Sequence, residues 1–536
     1  MHALLLGIVL AQATPGVQPT PGAPTPGVQP APGVQASPGA LVLSPSSLSL
    51  NPAQQQNVAV SGATPPLQAT LDRKLVTVTV AQDGRSLAVT ATQTTGSDVL
   101  HLVDGAGAQA DLPIRVAFNA GTIVPQTTLT VTGNPADPAW LAARVTGWVT
   151  QLTKALPGAR VSIAAVTPPS SPLLPGTSAQ FVVPVQIDGN GEYFDQSGTT
   201  SVNVQNLALQ PFSPGLLFYD DDPEHLMQDG VLFRGTVTAA QPARLYYYHD
   251  DGVDPRKLVV ALTSSSQDPT SVQLVDASAG PNMDVMHVGQ TLTKNFLLTK
   301  ARGEGVVVNL SQDEPYLLAD VPLAARQLMS GTVDVRVLSG GPVVLTVLSV
   351  STGADPRTLL GGPILPGDGH HRTGVFKIDG FGSNALAYTA GGPDATLVVG
   401  DTDPTPPSAD PAAAGHDFGD YGIVHTIGLT VNNPGAAPFT AYLYFKPLAG
   451  PARASFLIDG NLDDVGCVRV PTPYQVTSFN VAAGSTYRTV IQTMTDGASF
   501  YPAVIGITAT PPQPSAPAIG APDGCFPKPQ EPPPPR

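Results

Sequence analysis

Val76-Thr77-Val78-Thr79-Val80 is followed, after an Asp83-Gly84 turn, by Leu87-Ala88-Val89-Thr90-Ala91-Thr92. Apolar and polar residues alternate along both runs, which is the pattern of β-strands with one buried face. The chain of 536 residues contains 54 Gly and 58 Pro, and both residues disfavour helix interiors. The sequence therefore predicts a mainly β, multidomain protein with roughly three to five domains.

The charge of the chain excludes several partners. Lys and Arg number 25 against 40 Asp and Glu, so the net charge is −15, and no basic cluster occurs. Binding to nucleic acid or to anionic lipid requires clustered Lys and Arg, so we expect no nucleic-acid partner. A hydrophobic content of 42% argues against wholesale disorder.

The amino terminus predicts export. The run Ala3-Leu4-Leu5-Leu6-Gly7-Ile8-Val9-Leu10 is followed by Ala11-Gln12-Ala13, which supplies small residues where a signal peptidase cleaves. We therefore predict a signal peptide at 1–13 and a secreted, cell-envelope or cell-surface location. The run is far shorter than the ~20 residues that span a bilayer, and no other stretch is long enough, so no transmembrane segment is predicted.

Proline-rich stretches flank the predicted folded part. Residues 14–40 repeat Thr-Pro-Gly-Val-Gln-Pro and related motifs, which favour an extended linker. Residues 511–536 form a second Pro-rich stretch, the predicted tail. The two cysteines of the chain are Cys467 and Cys525, and an even count in an exported protein favours a disulfide that ties the tail to the last domain.

Residues 41–118 are predicted to form a small β-sandwich, because they contain several alternating runs separated by turns. Leu43-Ser44-Pro45-Ser46-Ser47-Leu48-Ser49-Leu50-Asn51-Pro52, Val60-Ser61-Gly62 and Val89-Thr90-Ala91-Thr92 carry a resemblance to the bacterial immunoglobulin-like domains of surface and secreted proteins. The resemblance implies an immunoglobulin-like sandwich that acts as a spacer or binding module, without catalytic residues.

Residues 119–210 are predicted to form a small α/β domain around one helix. Asp137 suits the N-cap and Pro138 the first helical position, and apolar residues then recur on one face up to Pro157-Gly158. Strands predicted at 127–132 and 160–166 flank this helix and give a β-α-β unit.

Two antiparallel β-sandwich or jelly-roll-like domains are predicted at 211–353 and 370–510. The first takes its strands from a series of alternating runs that includes 290–298. The second begins with a strand at 374–378.

Polar loops supply the candidate site. Gly367-Asp368-Gly369-His370-His371-Arg372-Thr373-Gly374 places two histidines side by side, and His416-Asp417-Phe418-Gly419-Asp420-Tyr421 adds a third. Histidine and carboxylate ligands that converge from such loops hold zinc or another transition metal, so His370, His371 and His416 are the predicted metal ligands. No standard zinc spacing is present, and hydrogen bonds that stabilise the turns are the alternative.

The sequence predicts a non-catalytic protein without a cofactor. It has no Gly-x-Ser-x-Gly elbow, no phosphate loop and no Gly-x-Gly-x-x-Gly after a strand. We expect a structural or adhesive protein of the bacterial surface or matrix that binds protein or glycan through its β-sandwich modules. The alternatives are a carbohydrate-active or metal-dependent envelope enzyme, and an accessory subunit of a pilus or export apparatus.

Overall fold

The computed structural model describes residues 40–252, 254–312, 314–400, 409 and 417–514. The predicted signal peptide, nearly all of both Pro-rich stretches, His416 and Cys525 lie outside the described residues. The chain divides into two compact units, Met1–Asn119 with Glu192–Phe194 and Ala120–Gly191 with Asp195–Arg536. Within the described residues, neither helix is long and apolar enough to cross a membrane.

The first unit contains eight strands. They are β1 (Val42–Ser44), β2 (Leu48–Leu50), β3 (Gln55–Ser61), β4 (Gln68–Leu71), β5 (Val76–Val80), β6 (Ser86–Ala91), β7 (Gly96–Val103) and β8 (Gln109–Val116). They form two four-stranded sheets with the orders β1-β3-β6-β5 and β2-β8-β7-β4. The two sheets enclose one apolar core, to which β6 contributes Leu87, Val89 and Ala91.

The topology of this unit is immunoglobulin-like. If the strands are lettered A, A′, B, C, D, E, F and G in chain order, the sheets have the orders ABED and A′GFC. The first strand is divided between the two sheets, so β1 pairs antiparallel with β3 and β2 pairs parallel with β8. The predicted immunoglobulin-like sandwich is confirmed by this strand order.

The second unit begins with two helices and seventeen strands. They are β9 (Gly121–Thr122), β10 (Gln126–Thr132), α1 (Pro138–Leu152), β11 (Lys154–Ala155), β12 (Arg160–Ile163), β13 (Ser178–Asp188), β14 (Gln196–Asn206), β15 (Leu216–Asp220), β16 (His225–Leu226), β17 (Gly230–Val237), β18 (Ala243–Asp251), β19 (Arg256–Ser264), β20 (Thr270–Asn282), α2 (Val285–Arg302), β21 (Gly305–Leu310), β22 (Tyr316–Leu323), β23 (Leu328–Ser339), β24 (Val343–Ser351) and β25 (Thr373–Lys377).

Eleven of these strands form one sheet, in the order β12-β13-β14-β10-β21-β20-β23-β18-β15-β25, with β16 paired to β18. The sheet takes strands from both of the predicted ranges 119–210 and 211–353. A four-stranded sheet, β17-β24-β19-β22, shares an apolar core with it, as does α1. Helix α2 belongs to a different core, together with residues of β15, β18, β20 and β25.

Alternate residues of β15 and β18 therefore serve different cores. Phe218 and Tyr247 pack into the core that is shared with the four-stranded sheet. Tyr219, Tyr246 and Tyr248 pack into the core that contains α2. This alternation follows from the two-residue period of a strand, and it gathers three tyrosines on the α2 side.

Helix α1 confirms the predicted helix in its start and its buried face. The side chain of Asp137 accepts hydrogen bonds from the backbone N–H of Ala139 and Trp140, and Pro138 occupies the first turn. The helix ends at Leu152, whereas the sequence predicted that it continues up to Pro157-Gly158. The strands β10 and β12 that flank it lie in the same sheet, separated by β13 and β14.

The strand predicted at 290–298 is wrong, because these residues belong to helix α2. Asp284 caps its amino end by accepting from the backbone N–H of His287, and Gly303 ends it in the left-handed conformation, with φ 64°. The helical pattern of these residues is obscured because α2 is buried against the large sheet on one side and against later strands on the other. A helix buried on both sides lacks the single apolar stripe that marks a surface helix.

The rest of the second unit is a β-sandwich. Its strands are β26 (Ser383–Thr389), β27 (Ala395–Val399), β28 (Val424–Asn432), β29 (Phe439–Pro447), β30 (Ala452–Ile458), β31 (Asn461–Val468), β32 (Tyr474–Val481), β33 (Thr486–Met494), β34 (Ala503–Thr508) and β35 (Gln513–Pro514). They form two five-stranded sheets with the orders β26-β28-β33-β30-β31 and β27-β34-β29-β32-β35. Cys467 lies in β31, and the disulfide with Cys525 stays a prediction.

The predicted place of β25 is also wrong. The sequence assigned it to the last sandwich, whereas it pairs antiparallel with β15 at the edge of the eleven-stranded sheet. This long-range pairing joins segments about 150 residues apart, which local alternation cannot reveal. As expected, the fold is mainly β with several sandwich-like layers.

Candidate functional site

A pocket of about 260 Å3 opens at the carboxyl ends of β15 and β18. These strands are parallel neighbours, so their carboxyl ends meet at one edge of the sheet. Strand β25 runs antiparallel to β15, which brings the loop before Thr373 to the same edge. The lining residues are Tyr219, Asp221, Glu224, Tyr246, Tyr248, His371, Arg372, Tyr421, Ala498, Ser499 and Phe500.

Aromatic side chains form much of the wall. The rings of Tyr219 and Tyr246 stack with centroids 5.6 Å apart and an interplanar angle of 12°. The hydroxyl of Tyr421 donates to the backbone oxygen of Ser499 at 2.6 Å, which fixes this ring beside the opposite wall. Phe500 is 46% exposed, so an apolar ring stands at the mouth of the pocket. Such a wall suits a ligand with an apolar face.

Two carboxyl groups line the same pocket. Burial raises the pKa of Asp221 to about 8, and the charge of Glu224 adds to this effect. Oδ2 of Asp221 accepts a hydrogen bond from the hydroxyl of Tyr219 at 3.2 Å. Burial also raises the pKa of Glu224, although the charge of His371 opposes this shift. At neutral pH the pocket therefore holds a neutral carboxylic acid beside a second carboxyl group.

His371 lies between two carboxylates. Its Nε2 is 2.5 Å from Oε2 of Glu224, and its Nδ1 is 2.7 Å from Oδ2 of Asp368. Burial lowers the pKa of His371, but the hydrogen bond to Asp368 and the charges of Glu224, Asp221 and Asp368 together outweigh burial and raise the pKa. Both ring nitrogens face a carboxylate oxygen, an arrangement that favours the protonated form of the ring, in which both nitrogens donate.

Arg372 joins the pocket to a further segment. Its Nη1 donates to the backbone oxygen of Phe418 at 3.0 Å, and its guanidinium lies 5.6 Å from the centroid of the Phe418 ring. Asp417, which precedes Phe418, is fully buried, and burial together with the charge of Asp420 holds its pKa well above the usual range.

A buried histidine and a buried aspartate lie side by side on the other face of these strand ends. Nε2 of His249 lies 3.1 Å from Oδ2 of Asp220, and both side chains are fully buried. Nδ1 of His249 donates to the backbone oxygen of Pro223 at 3.0 Å. Burial lowers the pKa of His249, but the charges of Asp220 and Asp221 and the hydrogen bonds to Asp220 and Pro223 together raise it. The loop after β15 is thereby fixed to β18.

The structure describes two of the three predicted metal ligands. His371 lines the pocket, His370 is exposed, and His416 lies outside the described residues. Within the ranges that the structure describes, no three His, Cys, Asp or Glu residues are arranged to hold a metal ion. The three-histidine site stays a prediction.

Four polar stretches converge here, namely 220–225, 248–251, 368–372 and 417–421. Two of them, 368–372 and 417–421, belong to the loops from which the sequence predicted a metal site. Sequence reasoning missed Tyr219, Tyr246 and Phe500. The first two were predictable, because Leu217-Phe218-Tyr219 and Leu245-Tyr246-Tyr247-Tyr248 each precede an acidic run at a strand end.

A larger groove of about 730 Å3 lies between α1 and β22. Two of its charged side chains are paired within the fold, Arg144 with Asp276 at 2.9 Å and Arg357 with Asp355 at 2.7 Å. The smaller pocket is the stronger candidate for a ligand site, since it combines the exposed ring of Phe500 with two carboxyl groups of raised pKa.

Comparison with known proteins identifies no family. No family model matches the chain, and no curated protein matches it. Among solved structures, the Bacteroides ovatus mixed-linkage glucan utilization locus protein SGBP-B, in complex with a mixed-linkage heptasaccharide, is 11% identical. That match covers 56% of this chain and 70% of that chain, with a TM-score of 0.13.

Two other solved structures show similarly low likeness. The fibronectin(III)-like modules of Clostridium thermocellum CbhA are 9% identical over 32% of this chain and 98% of theirs, with a TM-score of 0.16. A tri-modular GH5 (subfamily 4) endo-β-1,4-glucanase from Bacillus licheniformis, complexed with cellotetraose, is 10% identical over 31% of this chain, with a TM-score of 0.14. The match spans 38% of the glucanase chain. TM-scores this low carry no argument about fold or ligand.

Proposed function

We propose that this chain is an exported, non-catalytic protein of the bacterial cell surface or matrix that binds glycan, and that the pocket at the ends of β15 and β18 holds one sugar residue. The observation that carries the proposal is the composition of the pocket. Tyrosine and phenylalanine rings stand beside Asp221, Glu224 and Arg372 around one cavity.

A sugar ring matches this composition chemically. Its C–H faces are apolar and pack on aromatic rings, while each hydroxyl both donates and accepts hydrogen bonds. The pocket supplies acceptors from Glu224 and donors from Arg372. A peptide side chain offers fewer hydroxyls per unit of volume, so the pocket favours glycan over protein.

The size of the pocket limits what enters it. A volume of about 260 Å3 lies just below the roughly 300–1,000 Å3 of sites for drug-sized ligands. One sugar ring is therefore the expected occupant, and the rest of an oligosaccharide extends past the exposed ring of Phe500. The immunoglobulin-like unit then serves as the spacer that the sequence resemblance implies.

An oligosaccharide array, probed with fluorescently labelled protein comprising residues 14–536, tests the proposal. The array should carry cellotetraose, chitotetraose, xylotetraose and galacturonic acid oligomers, so that neutral, N-acetylated and acidic sugars are compared. We expect saturable binding to at least one class, and loss of that binding in the Phe500→Ala variant. Equal binding by the variant contradicts the pocket as the site, and no binding to any class contradicts the function.

A carbohydrate-active enzyme is the second candidate, because Asp221 and Glu224 line the same pocket and the pKa of each is raised. Glycosidases use two such carboxyl groups, one to protonate the leaving oxygen and one as base or nucleophile. Release of reducing ends from a bound oligosaccharide, absent in Asp221→Asn, favours this candidate. Binding without release favours the non-catalytic function.

A further inference from the structure

Four chain segments meet around the mouth of the pocket. They are 221–224 after β15, 371–372 before β25, 418–421 before β28, and 498–500 after β33. Side chains connect them in sequence: His371 contacts Glu224, Arg372 donates to Phe418, and Tyr421 donates to Ser499. The neighbours His371 and Arg372 thus face opposite sides of the mouth.

The loop that carries His371 keeps its shape without the imidazole ring. Oδ1 of Asp368 accepts from the backbone N–H of His370 at 2.8 Å and from that of His371 at 2.9 Å. The loop is also joined to the segment after β15 without the ring, because Oδ1 of Asp222 accepts from the backbone N–H of Asp368 at 2.6 Å. The ring is therefore not required to hold the two segments together.

Among the described residues, the ring of His371 is the side chain that contacts the carboxylate of Glu224 at hydrogen-bonding distance. Nε2 of His371 lies 2.5 Å from Oε2 of Glu224, while Nδ1 is held at 2.7 Å by Oδ2 of Asp368. Asp368 therefore fixes the plane of the imidazole, and the imidazole fixes Glu224. A carboxylate that fixes a histidine, which in turn fixes a group facing the ligand, is a known arrangement for orienting a functional side chain.

We propose that His371 is a positioning residue that orients the Glu224 carboxylate toward the ligand in the pocket, an inference that rests on the proposed glycan-binding function. His371 acts through Glu224. Removing the imidazole ring should therefore cause no further loss of ligand affinity in a variant that already lacks the Glu224 carboxylate.

The test is a double-mutant cycle with His371→Gln, Glu224→Gln and the double variant, measured by calorimetric titration with the oligosaccharide that binds best on the array, or with cellotetraose if none does. We expect each single variant to weaken binding by about tenfold, the effect of one charge-assisted hydrogen bond. The double variant should be no weaker than Glu224→Gln alone. Losses that add overturn the inference.

His371→Arg is the matched variant, because a guanidinium can donate to both carboxylates. We expect it to bind within about threefold of the wild type, since the bidentate geometry is kept. A loss equal to that of His371→Gln contradicts positioning through the two carboxylates.

A crystal structure of His371→Gln separates this inference from the proposed function. We expect the Glu224 carboxylate to leave its present place while the 367–372 loop keeps its backbone. If Glu224 stays in place, the inference fails whatever the ligand. If no oligosaccharide binds the wild type but Glu224 moves, the proposed function fails and the positioning role stands.

Discussion

Gly289 of helix α2 lies against the backbone of Gly497, so that a Cβ on residue 289 would be 2.1 Å from the carbonyl oxygen of Gly497. Backbone cannot move aside as the end of a flexible side chain does. The close approach therefore sets the distance between α2 and the segment that follows β33. Ala498, Ser499 and Phe500 of that segment line the pocket.

Gly289→Ala should therefore lower the free energy of unfolding by about 1–3 kcal/mol, because the added methyl group overfills a packed contact. It should also weaken oligosaccharide binding, because residues 498–500 are displaced. Chemical denaturation and calorimetric titration measure the two effects.

Gly147→Ala in α1 is the control. Residue 147 is exposed, and no atom lies within 4 Å of a Cβ built there. Alanine in an open helical position should raise the free energy of unfolding by about 0.5–1 kcal/mol, because it restricts the unfolded chain. Equal effects of the two substitutions would show that residue 289 is not tightly packed.

Sequence alone predicts the elements whose signals are local. The start of α1 was predictable because Asp137 and Pro138 are strong amino-terminal signals, and the immunoglobulin-like sandwich because its strands alternate regularly. Helix α2 was not, because buried Gln290, Thr293 and Thr299 interrupt its apolar pattern. Those polar residues are buried because α2 has partners on two sides, which depends on tertiary structure.

The candidate site was predictable only in part. The sequence singled out the histidine-containing loops at 367–374 and 416–421, but it could not show that β15 and β18 are parallel neighbours. Their register, with Asp220 opposite Tyr247, is what brings 220–225 beside 248–251. The pairing of Thr373 with Asp220 then adds 368–372. Contacts between residues more than a hundred positions apart leave no trace in local pattern.

The buried pair of Arg244 and Asp334 gives a prediction about stability. Nε and Nη2 of Arg244 lie 2.6 and 3.0 Å from the two carboxylate oxygens, and Lys300 donates to the same carboxylate at 2.8 Å. Arg244→Met should lower the free energy of unfolding by about 3–5 kcal/mol, because it removes one partner of a buried charge. Urea denaturation measures the loss.

Arg357→Met provides the comparison for Arg244. Arg357 pairs with Asp355 at the surface, where both side chains remain largely exposed. Solvent screens such a pair, so no measurable change in urea denaturation is expected. Similar losses at the two sites would contradict the role of burial.

Asp221 gives a prediction about pH. Burial raises its pKa to about 8 in the folded chain, above its usual value of 3.8. The folded state therefore binds this proton more tightly than the unfolded state, and stability attributable to Asp221 falls as the pH rises from about 4 to about 8. Asn does not titrate, so Asp221→Asn should match the wild type in Tm near pH 4 and exceed it by a few degrees near pH 8.

Differential scanning calorimetry at the two pH values checks this difference. Asp355→Asn is the control, since Arg357 lowers the pKa of Asp355 through hydrogen bonds at the surface. Its Tm difference from the wild type should not grow with pH in this range. A difference for Asp221→Asn that is the same at both pH values would show that the carboxyl group ionises in the folded chain as it does in water.

The central claim is that the pocket binds a sugar residue against aromatic surface. Phe500 and Phe118 are exposed to nearly the same extent, 46% and 47%, but only Phe500 lines the pocket. Isothermal titration of oligosaccharide into Phe500→Ala and Phe118→Ala, both with unchanged Tm, therefore tests the claim most directly. We predict at least a tenfold loss of affinity, about 1.4 kcal/mol, for Phe500→Ala alone. Wild-type affinity in both variants would contradict the account.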